Sequence, residues 1–553
     1  MVCVCLFRYL SRVVAMSCDN NRSETIDTNE KVHQRDSTII EDVSNEKIAD
    51  FEAAIAAAEI GKFQYLLSLA IIPASWASSI DTSNMSVILA SAECDLGLTL
   101  FDKGLLNSSI YFGMVLSGFV WGYIADVKGR KKVVLYGYLA DSICNILAGF
   151  SQNMETLVFF KFLSGLLVSG PHATLMAYSS EFYGAKGRTK IPILVGLSVQ
   201  FGCIINVLLA WLVIPQPWLV TFWNGAFVYN SWRMFLSLCG IPTLIGVTCL
   251  CFFPESPKFL MTQNRNEDAL EIFKTIYSMN TGLPKDNYPI SAVGDVNLNN
   301  AKQSSDSESD PKSCLSNGIQ QMKPLFTNPY LPRILLIVTL QFCGMLCLNT
   351  FRLWQPQLFA TIKDIGSRTN VTNPTFCELL DISVSANANQ IATSNGTASC
   401  ENIPVPDSIY IDSIIVSTSS SVFILCSTIF VNFLQHKYLA MVSHGCALLC
   451  VISLIWSPNS LTTLVLTCLY LGLLSKTYNI LVGATVLLFP TSLRAMAVSL
   501  EMIVGRLGSI MGNFIFPVLL EYGCASPIIN LSCFSGLCIL LTCFLPSTRK
   551  HAV

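Results

Sequence analysis

The stretch from Gly122 to Lys132, Gly-Tyr-Ile-Ala-Asp-Val-Lys-Gly-Arg-Lys-Lys, most limits what this chain can fold into, because long apolar runs lie on both sides of it. A turn this short with one acid and four bases cannot lie in hydrocarbon, where each charge would lose its water. The pattern therefore predicts a tight cytosolic turn between two membrane helices. Gly129 permits the sharp change of direction, and Asp126 and Arg130 are close enough in sequence to pair. The alternative is that these charges only set the orientation of the chain in the membrane.

The composition indicates that lipid is the solvent of most of this protein. Of 553 residues, 52% are apolar and only 13% are charged, and the mean hydropathy is +0.53, whereas soluble domains carry about 25% charged residues. The net charge of −2 gives no reason to expect a nucleic-acid partner. No cysteine cluster has the spacing of a zinc or iron–sulfur site, and no phosphate-binding loop for ATP occurs. We expect no metal, no cofactor and no enzymatic activity.

Runs of about 20 apolar residues are long enough to cross a bilayer, and the sequence contains twelve of them. Short connections on one side carry nine Lys or Arg residues, while those on the other side carry only Lys103, so the basic side is predicted to be cytosolic and both termini lie there. The predicted spans are 63–89, 104–125, 133–150, 155–178, 191–212, 232–253, 331–351, 408–431, 438–457, 461–488, 495–520 and 524–545.

The spans fall into two groups of six, which predicts an all-α membrane protein with two six-helix halves. The halves are 63–253 and 331–545, with cytosolic tails at 1–62 and 546–553. The linker 254–330 contains an amphipathic stretch from Asn266 to Met279, with Asn266 as the expected helix cap. Its acidic segment 304–310 is expected to be disordered.

The connection 352–407 lies on the outer side in this topology. It contains two glycosylation sequons, at Asn370 and Asn395. Cys377 and Cys400 are the only cysteines in this loop and face an oxidising compartment, which favours a disulfide between them. Two free thiols are the alternative.

Several motifs resemble known transporter signatures. Gly122–Lys132 resembles the turn between helices 2 and 3 of the major facilitator superfamily, and Pro254–Lys258 resembles the sugar-porter signature. The first half is similar to the group of synaptic vesicle glycoprotein 2 and the organic-ion transporters, and its matching segments are Gly61–Tyr65, Ala90–Asp95, Lys161–Gly165 and Ser180–Phe182. In the second half, the segments Phe489–Arg494 and Gly505–Gly508 resemble the helix 10–11 region of the same group. The resemblance implies alternating access for a small organic ion. The loop 432–437 departs from the family pattern, because it lacks the acid and the Gly-Arg pair.

Polar residues inside the predicted spans are candidates for substrate and coupling sites, because an ionisable group in a span normally faces water or a partner. Asp81 and Asn84 share one face of span 1, and Asp81 could bind a cation or a proton or could simply reach outer water. Lys161 and His172 lie about three turns apart on span 4, although His172 could be a satisfied buried histidine. Family resemblance adds polar residues on spans 7 and 10, namely Gln341, Lys476 and Asn479.

The same resemblance predicts an inner gate of charged residues at the cytosolic ends of the helices. Small residues on spans 2 and 11 would let these helices meet across the halves. The gate residues are Asp126, Gly129, Arg130, Glu181, Arg188, Arg494 and Arg506. The alternative is that they only fix the topology.

We therefore expect a secondary transporter of a small organic ion or solute, with a proton or cation as the candidate coupling ion. The rival hypothesis is a transporter-shaped binding or trafficking protein without transport activity. The protein is expected in the plasma membrane or in an intracellular vesicle membrane, and the function requires no oligomer.

The topology can be tested directly. We expect Asn370 and Asn395 to carry glycans and residues 300–312 to be cytosolic, because the basic connections hold their side of the chain inside. A glycosidase shift checks the first point, with Asn370→Gln and Asn395→Gln as matched controls. A tag inserted at residue 305 checks the second, since its staining in intact, unpermeabilised cells would overturn the topology.

Overall fold

The computed structural model describes residues 49–188, 191–225, 227–294, 323–368, 374–393, 406–430 and 434–546. Both sequons, Cys400 and the acidic segment 304–310 lie outside the described residues. The helix that contains Asp126 is described, but the side chain of Asp126 is not.

The first part of the chain is helical, apart from one short hairpin. Its strands β1 (Leu219–Phe222) and β2 (Phe227–Asn230) pair antiparallel. The helices are α1 (Phe51–Ala57), α2 (Lys62–Leu96), α3 (Leu100–Lys128), α4 (Arg130–Ala148), α5 (Met154–Ser180), α6 (Ala185–Arg188), α7 (Ile191–Val213), α8 (Ser231–Leu238), α9 (Gly240–Cys251), α10 (Pro257–Thr262) and α11 (Asn266–Thr281).

The second part begins after the linker and is also helical. Its helices are α12 (Leu331–Arg368), α13 (Phe376–Thr393), α14 (Asp407–Phe430), α15 (His436–Ser453), α16 (Ser460–Leu488), α17 (Thr491–Leu520) and α18 (Ala525–Cys543). One buried apolar cluster draws almost all of its members from residues 54–293, and another from residues 346–531. Most of the core packing is therefore local to one part of the chain or the other.

Ten helices of the described chain are long and apolar enough to cross a membrane, and they match ten of the twelve predicted spans. The other two predictions, 104–125 and 133–150, correspond to α3 and α4. Helix α4 has only 19 residues and carries Arg130, Lys131, Lys132 and Asp141, which leaves a short apolar run.

Polar residues begin several of these helices. Thr99 and Asp102 form a capping box at the start of α3, and the Asn153 side chain accepts a hydrogen bond from Thr156 N at 3.1 Å at the start of α5. Helix α11 confirms the amphipathic prediction, since Ala269, Phe273 and Ile276 are buried. The N-cap position is Arg265 rather than the predicted Asn266, and the Arg265 side chain forms no capping hydrogen bond.

Helix α1, within the predicted N-terminal tail, packs on the linker. The rings of Phe51 and Phe273 lie 6.1 Å apart, and Tyr288 donates a hydrogen bond to the Ala54 carbonyl oxygen at 2.7 Å. Lys62, the last residue of the predicted tail, already begins α2. The tail and the linker thus form one small cytosolic layer in the predicted topology.

The predicted disulfide between Cys377 and Cys400 is wrong, because Cys377 is bonded to Cys524. The prediction considered only cysteines within the outer loop and assigned Cys524 to the last span. In the structure α17 ends at Leu520, so Cys524 lies in the turn before α18, and Asp381 of α13 accepts its backbone N–H at 2.7 Å. Cys94, at the end of α2, is also disulfide-bonded.

Helices α3 and α5 approach closely because both carry glycine where they meet. A Cβ atom built on Gly165 would overlap the carbonyl oxygen of Ile110, and one built on Gly113 would overlap that of Phe162. Gly165 therefore faces α3 rather than a cavity. Such contact through small residues is a common means of packing helices in membranes.

This contact predicts the effect of a single methyl group. Gly165→Ala should lower the free energy of unfolding by about 1–3 kcal/mol, because the neighbouring backbone cannot move aside easily. Gly344→Ala on α12 is the matched control, since nothing lies within 4 Å of its Cβ position, and there the better helix former should be neutral or stabilising by up to about 1 kcal/mol. Thermal unfolding of the purified protein in detergent measures both, and equal stability of the two variants would contradict the packing argument.

Candidate functional site

A small cavity of about 40 Å³ lies between the two parts of the chain. Helices α2 and α7 line one side of it, and α12, α14 and α16 line the other. Its polar lining consists of six serines, two glutamines, one cysteine and one arginine, namely Ser83, Ser86, Ser413, Ser417, Ser420, Ser475, Gln200, Gln355, Cys203 and Arg352. Its volume suffices for a few water molecules. Among the described residues that line it there is no Asp or Glu.

Arg352 was missed by the sequence analysis, which ended span 7 at residue 351. In the structure α12 continues without a break to Arg368. The guanidinium of Arg352 lies beside the hydroxyl of Tyr111 from α3, and its Nε is buried without a hydrogen-bond partner. Asn349, Arg352 and Gln355 recur every three residues, and this polar stripe could have revealed that the helix continues.

A second polar cluster lies within the first part of the chain, between α2, α4 and α5. Lys161 Nζ donates to Asn145 Oδ1 at 2.7 Å, and Asn145 Nδ2 donates to Asp81 Oδ1 at 2.7 Å. Ser164 Oγ lies 2.7 Å from Asp141 Oδ1 and 3.1 Å from Asp81 Oδ2. All five side chains are buried, with Asp81 1% and Lys161 0% exposed. We call these five residues the acid–lysine network.

The position of Ser164 constrains the protonation of the two carboxyl groups. A hydroxyl group has one proton to donate and two lone pairs, yet Ser164 is within hydrogen-bond distance of both Asp81 and Asp141. It can donate to only one of them. The other contact is favourable only if that carboxyl group carries a proton and donates it to Ser164. The geometry therefore suits one proton shared by two acids.

The acid–lysine network does not open into the cavity between the two parts of the chain, which we call the central cavity. Ser83 and Ser86 of α2 line the cavity, whereas Asp81 faces α4 and α5 on another side of the same helix. Asn84 is fully buried, and its amide has no hydrogen-bond partner in the described part of the chain. Asp81 and Lys161 thus come together through Asn145, away from the cavity.

The other predicted substrate residues are dispersed. The Gln341 side chain is buried and lies against Gly505 of α17. Asn479 is exposed and donates to the Ser475 carbonyl of its own helix at 2.9 Å, while Lys476 is partly buried. His172 is partly buried, and its Nδ1 has no hydrogen-bond partner among the described residues.

Trp354, beyond the predicted end of span 7, belongs to the buried core of the second part of the chain. It is fully buried, and its ring lies 5.2 Å from that of Phe516.

The Gly129 turn is held by two glutamates. Arg130 pairs with Glu181 at the end of α5, and Ser256 donates a second hydrogen bond to the same carboxylate. The backbone N–H of Lys131 donates to Glu255 Oε1 at 2.8 Å. Gly129 has φ +99°, and a Cβ atom there would lie 2.6 Å from Glu255 Oε2. The backbone conformation therefore requires glycine at this position, and a Cβ atom there would in addition displace the end of the Glu255 side chain.

The remaining gate residues occupy three different places. Arg188 pairs with Glu52 of α1 at 2.7 Å. Arg494 is partly buried at the start of α17, and its Nε has no hydrogen-bond partner in the described part of the chain. Arg506 lies deeper than predicted, because its guanidinium donates to the Met114 carbonyl at 3.1 Å, halfway along α3, and to Ser169 Oγ at 3.0 Å.

At the end of the helices away from the Gly129 turn, polar contacts join neighbouring helices that the sequence analysis did not predict to be linked. Gln357 of α12 donates to Glu93 of α2 at 3.2 Å, and Lys103 of α3 pairs with the same carboxylate at 2.7 Å. The first of these contacts links the two parts of the chain. The described residues contain no group of three or more His, Cys, Asp or Glu side chains that could hold a metal ion.

Comparison with known families identifies the fold and the family. The model of the sugar (and other) transporter family matches residues 54–370, which is more than half of the chain. The chain belongs to this family. Its relatives include synaptic vesicle glycoprotein 2B of Rattus norvegicus, 29% identical over 246 residues, and synaptic vesicle glycoprotein 2A of Homo sapiens, 27% identical over 230 residues. These alignments cover 44% and 42% of this chain but only 36% and 31% of the relatives, so the chain spans about a third of their length.

Solved structures agree on the fold. A D-xylose–proton symporter superposes with a TM-score of 0.60 at 15% identity, over 89% of this chain and all of that one. The inward-open xylose transporter XylE from E. coli gives the same TM-score at 16% identity, over 88% and 97% of the two chains. The protein therefore has the fold of the major facilitator superfamily and resembles synaptic vesicle glycoprotein 2 in sequence.

The contacts that hold the Gly129 turn predict that Arg130→Ala destabilises the protein. The substitution leaves Glu181 buried beside Ser256 without its charge partner, at a cost of about 1–3 kcal/mol. Glu181→Gln should cost less, because the neutral amide can still accept the hydrogen bond from Ser256. Arg265→Ala is the control, since Arg265 pairs with Asp268 on an exposed surface, where such pairs contribute under about 1 kcal/mol. Thermal unfolding in detergent ranks the three, and equal midpoints for Arg130→Ala and Arg265→Ala would contradict this role.

Proposed function

We propose that this protein is a secondary transporter that moves a small organic solute by alternating access. Helices α3 and α4 would complete twelve spans, in two halves of six. The observation that carries the proposal is the cavity between the two parts of the chain, which is lined by α2 and α7 from one and by α12, α14 and α16 from the other. Transporter sites of this design lie near the bilayer midplane at the interface of the repeats.

The contacts between the two parts of the chain differ between the outer and the inner half of the helices, and this difference supports alternating access. Gln357 and Glu93 join them at the predicted outer end. In the predicted inner half of the helices, Gly118 of α3 lies against Ile503 of α17, since a Cβ atom built on Gly118 would be 3.5 Å from Ile503 Cδ1. A transporter that opens to one side at a time must break the contacts on that side while it keeps the contacts on the other. The Arg130–Glu181 pair would stiffen the first half during this movement.

The acid–lysine network is the proposed proton site. Two carboxylates and one ammonium group leave one negative charge in a buried place, and one proton neutralises it. Ser164 fits the protonated form, as its single hydroxyl proton cannot serve both acids. One solved neighbour is described as a proton symporter. Coupling would arise if the protonated and unprotonated networks favoured different positions of α2.

The second candidate is a binding or trafficking protein of a vesicle or cell-surface membrane. The observation in its favour is the similarity to synaptic vesicle glycoproteins 2A and 2B, which covers only about a third of those proteins. In either case we propose a multi-pass protein with both termini in the cytosol.

The two candidates differ in what Asp81→Asn should do. If the network binds a coupling proton, the variant should lose the uptake that a pH gradient drives in proteoliposomes, because an amide cannot take up the proton. Glu155→Gln is the matched control, an acid-to-amide change at an exposed position in the first turn of α5. The measurement is uptake of a labelled panel of organic ions and neutral solutes, at equal amounts of folded protein.

Each outcome of that experiment decides a different point. Equal, pH-driven uptake by the wild type and by Asp81→Asn would remove Asp81 from the mechanism. No uptake of any panel member by the wild type would favour the binding or trafficking protein.

A further inference from the structure

Arg352 is the one charged side chain among the described residues that line the central cavity. Its guanidinium stays protonated under all ordinary conditions. The cavity lies along the middle of the helices that line it, since Ser417 is ten residues into the 24 of α14 and Ser475 is fifteen into the 29 of α16. A permanent positive charge is thus placed at the depth where a transporter of this fold binds its cargo.

No acid among the described residues compensates the charge of Arg352. No described carboxylate forms an ion pair with it, and the neighbouring groups are the Tyr111 hydroxyl and the Cys203 thiol. Arg506 also lies near Tyr111 and adds a second positive charge. A lone cation in a membrane-spanning region normally has a partner of opposite charge.

The acids of the neighbouring helices face elsewhere. Asp81 and Asp141 belong to the acid–lysine network, where Lys161 lies nearby. Glu501 of α17 is fully buried, beside Thr485 and Tyr478 rather than Arg352. The partly buried Lys476 follows Ser475 on α16 and is again positive. The one charge on the described cavity lining is therefore basic, and Ser413, Ser417 and Ser475 offer hydroxyls that can donate to an anion.

We infer that the cargo is a small organic anion, and this inference rests on the proposed transport function. Its carboxylate, sulfonate or phosphate group would bind the Arg352 guanidinium through two parallel hydrogen bonds. Hydroxyls on α14 and α16, such as Ser413, Ser417 and Ser475, would replace the water around it. A cation paired with Asp81 does not fit this cavity, because Asp81 does not line it. The present volume of about 40 Å³ holds only water-sized groups, so the cavity must widen to admit the cargo.

The test uses binding rather than transport. Purified full-length protein in detergent is unfolded by heat with two matched sets of probes at equal ionic strength. One set is benzoate, benzamide and benzylamine, and the other is butanoate, butanamide and butylamine. Within each set the probes have similar size and differ in charge. We expect a rise in the unfolding temperature with a carboxylate and no rise with its amide or amine.

Three variants test whether the rise in unfolding temperature depends on Arg352. Arg352→Met should abolish the rise, and Arg352→Lys should reduce it, because an ammonium group cannot form the two parallel bonds. Arg333→Met removes a charge from the same helix outside the cavity lining and should leave the rise unchanged. If Arg352→Met fails to fold, the comparison between Arg352→Lys and the wild type decides.

The inference is overturned if no carboxylate stabilises the wild type, if an amine or amide stabilises it equally, or if Arg352→Met retains the effect. Uptake of labelled benzoate and butanoate into proteoliposomes separates this inference from the proposed function. Stabilisation by a carboxylate that depends on Arg352 but is not accompanied by uptake would retain the anion site and remove the transport function.

Discussion

The cost of placing charge in a low-dielectric interior is the constraint on which the rest of this structure depends. Each ionisable side chain along the helices needs a partner, a proton or water. The Gly129 turn meets this need with Arg130 and Glu181, and the acid–lysine network meets it with Lys161 and a hydroxyl group that bridges two acids. Arg352 differs from these residues, since no described acid pairs with it. Its unpaired charge is the place where, in our proposal, a ligand of opposite charge would bind.

Close backbone contact makes these charge arrangements rigid. Glycines at 113 and 165 bring α3 and α5 together, and Gly137 of α4 has no room for a Cβ atom beside Pro171 of α5. Dispersion and packing must hold such helices together, because lipid removes most of the hydrophobic drive for them to associate. A first half packed this tightly would move as one body. In the proposed mechanism, alternating access would then come from movement between the halves rather than from rearrangement within the first half.

The sequence predicted the positions of most membrane spans and the chemistry of their residues well, but it predicted poorly which way the side chains face. Apolar runs predicted ten spans that the structure contains, because hydropathy depends only on composition along the chain. Span 7 was cut at Arg352 because a charge normally ends such a run, and the site residue was lost with it. Asp81 was singled out as an acid within a span, but the side of α2 that it faces depends on the packing of α4 and α5, which no single segment encodes. Cys524 was overlooked as the partner of Cys377 because the predicted last span began there.

Helix α2 connects the two polar regions, and this connection gives the proposed mechanism its physical basis. Asp81 faces the acid–lysine network, while Ser83 and Ser86, two and five residues further along the helix, line the cavity that contains Arg352. A change of charge at Asp81 alters the balance of forces on the side of α2 that faces α4 and α5. Because a helix moves as a unit, any resulting shift must also move the serines in the cavity. A proton at one site and cargo at the other would thus be coupled through the position of a single helix, with no direct contact between them.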